Sequence, residues 1–206
     1  MSEVDTFLTI KGDASSLLKE KGSKFIGSAF HVQDEQEAKM NLEKIKKKYH
    51  DATHNCWAYR VGHGDKIIGL SGDDGEPSGS AGAPMLSVIE GAELTNLIVI
   101  VTRYFGGTKL GVGGLIRAYG GCVKLLIETA KGSGTIIEET IREDLTLLID
   151  YPLLNNVLRV ASRFKAEVRQ DHEDGKALVT VSVRLSEVDK FRSAVVDASG
   201  GNVLFR

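Results

Sequence analysis

A glycine-rich segment, residues 71–119, constrains this chain more than any other part of its sequence. The chain has 23 glycines, and most of them lie within or beside this segment. Glycine loses more conformational freedom on folding than any other residue, so a dense cluster indicates tight turns or close approach of the backbone to a partner. An apolar run at 97–101 lies between an acidic loop, 71–84, and a basic loop, 102–119. Two polar, glycine-rich loops on either side of a buried strand favour a functional site.

Length and composition are those of a soluble globular protein. With 206 residues, the chain can form one large domain or two small ones, each with a core. No apolar run approaches the roughly 18 residues of a membrane span, and the N-terminus lacks the apolar core of a secretory signal. The net charge of −2 and the pI near 6.2 argue against binding nucleic acid through whole-molecule charge. The same values permit a local basic face. Without a membrane span or a secretory signal in the sequence, we expect a cytoplasmic protein without membrane contact.

Hydrophobic periodicity predicts alternating strands and helices in the first part of the chain. In the helix predicted to follow the cap Asp34, the residues Ala38, Leu42, Ile45 and Tyr49 share one face. A lysine run at the end of this helix has two interpretations. The lysines are solvated cations that interact favourably with the negative end of the helix dipole, or they form a phosphate-binding patch. The β-branched run at 97–101 is typical of a central strand. The predicted strands are 7–10, 24–32, 55–61, 66–70 and 97–101, and the predicted helices are 34–49, 84–90 and 113–130.

The last third of the chain has a different pattern. From about residue 143 the predicted order is β-α-β-β-α-β, with a hairpin signal at Asp174-Gly175 and a first-turn proline at Pro152. This order is the ferredoxin-like motif. We therefore expect an α+β protein with one domain over 1–134 and a ferredoxin-like domain over 135–206. The second domain carries no catalytic constellation and is interpreted as a binding or spacing module.

The basic loop has features of an anion site. Residues 106–114, including Gly106, Gly107 and Lys109, join the buried strand to a helix, whose N-terminal N–H groups favour a phosphate. Lys109 precedes the final glycines, so the loop is not a Walker A loop. Arg103 and Arg117 add positive charge nearby. The alternative is that these glycines only turn the chain and pack helix against strand.

The acidic loop admits several kinds of chemistry, each with a structural alternative. Asp73, Asp74 and Glu76, with His54 and His63, are candidate metal ligands, but Asp-Asp-Gly-Glu is more often a turn whose carboxylates cap backbone N–H groups. Ser78 lacks the nucleophile-elbow pattern, and a serine-rich turn is favoured. The two cysteines form no C-x-x-C pair and are interpreted as buried thiols, with Cys56 as a less favoured nucleophile. We expect no metal and no cofactor.

Aromatic and basic residues alternate around the same loops. The pairs are Tyr59 with Arg60, Tyr104 with Arg103, and Tyr119 with Arg117. In proteins that bind single-stranded or looped RNA, aromatic rings stack on the bases and guanidinium groups beside them hold the phosphates. The alternative is that the rings fill the core, as we expect for Phe105.

Four motifs resemble the signature of the Impact family, in its bacterial YigZ-like branch. They are HNCWAYR at 54–60, DDGEPSGSAGAP at 73–84, VTRYFGGTKLG at 101–111 and GLIRAY at 114–119. The resemblance implies an N-terminal domain similar to the second domain of ribosomal protein S5. It also implies a ferredoxin-like C-terminal domain similar to domain V of translocation factor G. Eukaryotic Impact proteins regulate translation, which implies RNA, the ribosome or translation-related proteins as partners.

These observations favour a non-enzymatic protein that binds RNA or the ribosome and regulates translation. An enzyme acting at the glycine loops, by phosphoryl transfer or metal-dependent hydrolysis, is the alternative. We further predict that the two loops meet at one concave surface bordered by His54, Tyr59 and Arg60. There, Asp74 or Glu76 is expected to pair with Arg103 or Arg117. The predicted binding residues are His54, Tyr59, Arg60, Asp73, Asp74, Glu76, Ser78, Arg103, Tyr104, Gly106, Gly107, Lys109, Arg117 and Tyr119.

Overall fold

The computed structural model describes residues 5–206, which form two compact units. The first unit is Phe7–Glu139, and the second is Thr140–Arg206 together with residues 5 and 6. Strand β1, Thr6–Ile10, pairs with strand β7, Ile136–Thr140, in a two-stranded sheet. Because of this pairing the compact units divide at residues 139 and 140, whereas the sequence placed the boundary between 134 and 135. The α+β, two-domain class is confirmed.

A five-stranded antiparallel sheet forms the centre of the first unit. The strand order is β2-β3-β6-β4-β5, so β6 is central, as its apolar sequence predicted. Strand β2 is an edge strand that the sequence analysis missed, because four of its seven residues are exposed and its sequence, ASSLLKE, does not alternate between apolar and polar residues. The strands are β2 (Ala14–Glu20), β3 (Ser23–His31), β4 (His54–Val61), β5 (Ile68–Gly72) and β6 (Leu97–Tyr104).

Three helices cover the two faces of this sheet. On one face lies α1, Glu35–Lys48, whose predicted cap is confirmed: Asp34 Oδ1 accepts the backbone N–H of Glu37 at 2.8 Å. On the other face lie α2, Gly82–Gly91, and α3, Gly111–Gly132. Both begin two residues earlier than predicted. The larger core lies between these two helices and the sheet and includes Phe25, Val99, Val101, Met85, Ile89, Tyr119 and Leu126.

The second unit has the predicted ferredoxin-like topology. Its four strands are arranged in the order β11-β8-β10-β9, with antiparallel pairing throughout. At the hairpin between β9 and β10, Asp174 and Gly175 both have positive φ, as the Asp-Gly signal predicted. The elements are β8 (Arg142–Ile149), α4 (Tyr151–Arg163), β9 (Glu167–Glu173), β10 (Lys176–Arg184), α5 (Val188–Ser199) and β11 (Val203–Phe205).

The helices of the described part of the chain are too short or too polar to cross a membrane.

Candidate functional site

The two glycine-rich loops meet at one cavity of the first unit, as predicted. The cavity has a volume of about 380 Å³. The acidic loop contributes Glu76 and Pro77 to its wall, and the basic loop contributes Lys109 and Leu110. The first residues of α3 complete the wall. Strand β6 ends at this cavity, so the polar residue Arg103, near the end of the strand, lies where the two loops meet.

A buried ion pair lies at the wall of the cavity. Arg103 Nη1 donates to Glu76 Oε1 at 2.6 Å, and the two side chains are 6% and 4% exposed. The same carboxylate oxygen accepts the hydroxyl of Tyr119 at 2.7 Å. The predicted pairing of Glu76 with Arg103 is confirmed. The expectation that Tyr119 is available to RNA is wrong, because its side chain is buried and its hydroxyl donates to Glu76. Arg103 is also buried and its Nη1 is paired with Glu76, so in the described part of the chain only its Nε–H is left without an acceptor.

His54 lines the cavity with a defined tautomer. Its Nδ1 lies 2.8 Å from the backbone carbonyl oxygen of Asp74. A carbonyl oxygen only accepts, so Nδ1 carries the proton and, in the neutral ring, Nε2 is a bare acceptor. Nε2 lies 3.9 Å from Glu76 Oε2. The cavity wall therefore offers a carboxylate oxygen and a ring nitrogen side by side.

Asp73 has a structural role. Its carboxylate accepts the backbone N–H groups of Gly79, Ala81 and Gly82 at 2.8, 2.9 and 2.8 Å. Burial raises the pKa of this carboxyl, but the three hydrogen bonds outweigh burial and the pKa is lowered overall. The carboxylate of Asp73 therefore caps the start of α2, although Asp73 precedes Gly82 by 9 residues in the sequence. Because this cap is not adjacent to the helix in sequence, α2 starts earlier than the local sequence indicates. The alternative of a capping turn is therefore correct for Asp73.

Asp74 is likewise occupied by its neighbours. Its Oδ2 accepts the backbone N–H of Asn55 at 2.7 Å, and its Oδ1 lies 3.2 Å from Nζ of Lys46. Lys46 belongs to the lysine run at the end of α1. Within residues 5–206, no group of three or more His, Cys, Asp or Glu side chains is placed to hold a metal ion. Ser78 is exposed on the same loop, beside Pro77.

Tyr59 and Arg60 do not border the cavity, which corrects the sequence prediction. Side chains alternate between the two faces of a strand, so Tyr59 points to the α1 face, where it is buried and donates to Glu35 at 2.8 Å. Arg60 shares the face of His54 but lies roughly 20 Å further along β4. Its Nη1 donates to the carbonyl oxygen of Leu94 at 3.0 Å. Both residues therefore stabilise the fold away from the loops.

Phe105 is exposed at the end of β6, although the sequence analysis placed it in the core. Its side chain is 47% exposed, and its ring centroid lies 5.6 Å from the guanidinium carbon of Arg103. Tyr104, on the opposite face of the strand, is half-buried and donates to Asp51 at 2.7 Å. The ring of Phe105 is thus a solvent-facing aromatic surface beside the cavity.

Gly106 allows a close approach between two segments. A Cβ atom at Gly106 would lie 1.9 Å from the carbonyl carbon of Gly22, at the tip of the β2–β3 hairpin. Gly107 has φ +88° and open space around it. The packing interpretation is therefore correct for Gly106, and Gly107 is required only for its backbone conformation.

Four cations surround Phe105 and the start of α3. Lys21, Lys24, Lys109 and Arg117 are exposed, and in the described part of the chain none of them has a carboxylate oxygen within ion-pair distance. Lys24 lies directly opposite Tyr104 in the register of β3 and β6. Sequence reasoning missed Lys21, Lys24 and Phe105. The motif KGSKF at 21–25 was visible, but only the strand register brings it beside the basic loop.

Comparison with known proteins places the chain in a family. Residues 21–127, more than half of the chain, match the model of the Impact N-terminal domain. The chain belongs to the IMPACT family. IMPACT family member YvyE of Bacillus subtilis is 35% identical over 95% of this chain and 88% of its own length. IMPACT family member YigZ of Escherichia coli is 31% identical over 89% of this chain and 88% of its own length. The predicted relation to YigZ-like bacterial proteins is confirmed.

A solved structure extends the comparison to the whole fold of the IMPACT chain. The crystal structure of a hypothetical protein matches with a TM-score of 0.75 and 27% identity, over 98% of this chain and 97% of that one. The Impact-domain match includes both glycine-rich loops and every residue of the cavity wall. The cavity is therefore a feature of the part of the chain that defines the family.

Proposed function

We propose that this IMPACT family protein binds single-stranded or looped RNA, free or in the ribosome, and thereby regulates translation. One observation carries the proposal: an exposed phenylalanine stands among cations without carboxylate partners at the end of the central strand. We call this set of residues the Phe105 surface; it consists of Lys21, Lys24, Tyr104, Phe105, Lys109 and Arg117.

The composition of the Phe105 surface fits single-stranded RNA. An aromatic ring with a free face stacks on an unpaired base, whatever the identity of that base. Lysine and arginine side chains around the ring provide the positive charge that follows a phosphate backbone. Phe105 provides the ring, with Tyr104 beside it on the other face of β6. These interactions require no chemistry on the RNA, so the proposal is a binding function.

The distribution of carboxylates explains how an acidic protein can present such a surface. Glu76 is neutralised by Arg103, and Asp74 by Lys46. Two carboxylates lie at the surface: Glu20 lines a hollow together with Lys21 and Arg117, and Asp51 accepts the hydroxyl of Tyr104, against four cations in the set. Local charge therefore favours an anion here although the net charge of the chain is −2.

The family supports the translational part of the proposal. Eukaryotic Impact proteins regulate translation, and the chain shares the Impact N-terminal domain over residues 21–127. We propose that this domain provides the contact with RNA or the ribosome, and that the ferredoxin-like unit serves as a second binding module.

The proposal is tested by RNA binding to a variant that lacks only the aromatic ring. In fluorescence anisotropy with a labelled single-stranded oligoribonucleotide at low salt, Phe105→Ala should weaken binding by about 1–3 kcal/mol, the value of one base–aromatic stack. Ile116→Ala is the matched control, because Ile116 is also an exposed apolar residue, 40% exposed, on α3. Equal affinities of the two variants, or no binding by the unmodified protein, would refute the proposal.

A further inference from the structure

We infer that the cavity beside Phe105 holds a single phosphorylated nucleoside, either the terminal nucleotide of an RNA chain or a free mononucleotide. This inference rests on the proposed RNA-binding function and specifies which part of the ligand enters the cavity. Three features of the wall support it: an anion site, an unsatisfied donor and an apolar surface with acceptors.

The start of α3 provides the anion site. The first backbone N–H groups of a helix have no partner within the helix and favour a negative charge. Gly111 and Val112, the first residues of α3, line the cavity. Within residues 5–206, the residue before the helix, Leu110, makes no side-chain capping bond. Lys109, exposed and without an ion pair in the described part of the chain, lies on the same wall.

Arg103 is an independent indication of a ligand. Its side chain is 6% exposed and contributes to the cavity wall. Nη1 donates to Glu76 and Nη2 lies 3.5 Å from Ser23 Oγ, but the buried Nε–H has no acceptor in the described part of the chain. A buried N–H without an acceptor is costly and rare in folded proteins. An anionic or oxygen-bearing ligand in the cavity would supply that acceptor.

The rest of the wall matches a base and a ribose. Phe105, Leu110, Val112 and Leu115 give an apolar surface on which a base can lie. Glu76 Oε2 and His54 Nε2, 3.9 Å apart, are acceptors for hydroxyl groups. The volume, about 380 Å³, lies near the lower end of the roughly 300–1,000 Å³ typical of small-ligand sites. This size suits one nucleotide.

Calorimetric titration of the full chain with 5′-AMP tests the inference. Val112→Glu places a carboxylate at the anion site, and its charge also suits a helix start, so the variant should fold. Ile116→Glu adds the same charge one turn further along α3, at a residue outside the cavity wall. We expect 5′-AMP to bind more tightly than adenosine or inorganic phosphate. Val112→Glu should weaken it by about tenfold or more, and Ile116→Glu should leave it unchanged.

Two results would overturn the inference: no binding of 5′-AMP at millimolar concentration, or the same effect from both glutamate variants. Hexaribonucleotides with and without a 5′-phosphate distinguish the sources of the ligand. A preference for the phosphorylated hexamer, lost in Val112→Glu, identifies an RNA end. Binding of 5′-AMP without binding of either hexamer identifies a free nucleotide and refutes the proposed RNA function. If RNA binding depends on Phe105 but 5′-AMP neither binds nor competes, the cavity inference alone fails.

Discussion

Glu76 and Arg103 form an ion pair of 2.6 Å, and neither side chain is more than 6% exposed. Tyr119 and His54 approach the same carboxylate from α3 and from β4. The pair therefore connects the acidic loop to the central strand and fixes the wall of the cavity. Because each charge is buried, each depends on the other for compensation.

Removing one member of this pair should destabilise the protein strongly. Arg103→Ala leaves the carboxylate of Glu76 buried with only Tyr119 and His54 nearby, and we expect a loss of about 3–5 kcal/mol in the free energy of unfolding. Arg117→Ala, which removes the same kind of side chain from an exposed position, should change it by less than about 0.5 kcal/mol. Urea denaturation at pH 7 measures both. A small effect of Arg103→Ala would show that the ion pair does not stabilise the fold.

Asp73 should make stability depend on pH below about 4. Its folded-state pKa is lowered, so its stabilising contribution is present above the unfolded pKa of about 3.9 and is lost as pH falls through the folded pKa. Asp73→Ala, which leaves three backbone N–H groups without this acceptor, should cost about 1–3 kcal/mol or more at pH 7. The difference from the unmodified protein should shrink in acid. A difference that is constant from pH 7 to pH 3 would contradict the assigned role.

Adjacent glycines of the basic loop should respond differently to alanine. At Gly106 a methyl group would lie 1.9 Å from the backbone of Gly22, so Gly106→Ala should separate the hairpin tip from the loop. At Gly107 there is open space, and alanine should cost only about 1 kcal/mol for its positive φ. Thermal denaturation of the two variants checks this order. Equal melting temperatures would mean that the Gly22–Gly106 contact is dispensable.

Both cysteines should be unreactive in the folded protein. Burial raises the pKa of the Cys56 thiol to about 12, and burial also raises the pKa of Cys122. A thiol reagent such as DTNB at pH 8 should therefore modify neither residue until denaturant is added. Rapid modification of Cys56 in the native state would revive its interpretation as a nucleophile.

The sequence predicted those features that depend on periodicity and turn chemistry. The run at 97–101 is buried at every position and forms part of the central strand, and the helix after Asp34 has its apolar face on the sheet. The ferredoxin-like order followed from a hairpin signal and two helical stripes. In each case the residues that determine the element are close together in the chain.

The residues of the site were harder to predict, because their environment depends on distant contacts. Tyr59 and Arg60 are neighbours in sequence, but alternation along β4 sends them to opposite faces. Lys24 comes next to Tyr104 only through the register of β3 and β6. Arg103 and Arg117 carry the same charge, so the sequence did not distinguish them. In the structure Arg103 is buried and paired with Glu76, whereas Arg117 is exposed.

The salt dependence of RNA binding tests the central claim most directly. If Lys24 and Lys109 contact phosphates, the double variant Lys24→Ala/Lys109→Ala should reduce the slope of log K against log salt concentration by about 1.4, since each phosphate contact on a single strand contributes about 0.7. The matched control is Lys124→Ala/Lys131→Ala, which removes two exposed lysines about two and four turns beyond Arg117 on α3 and should leave the slope unchanged. Identical slopes for the unmodified protein and both double variants would contradict RNA binding at this surface.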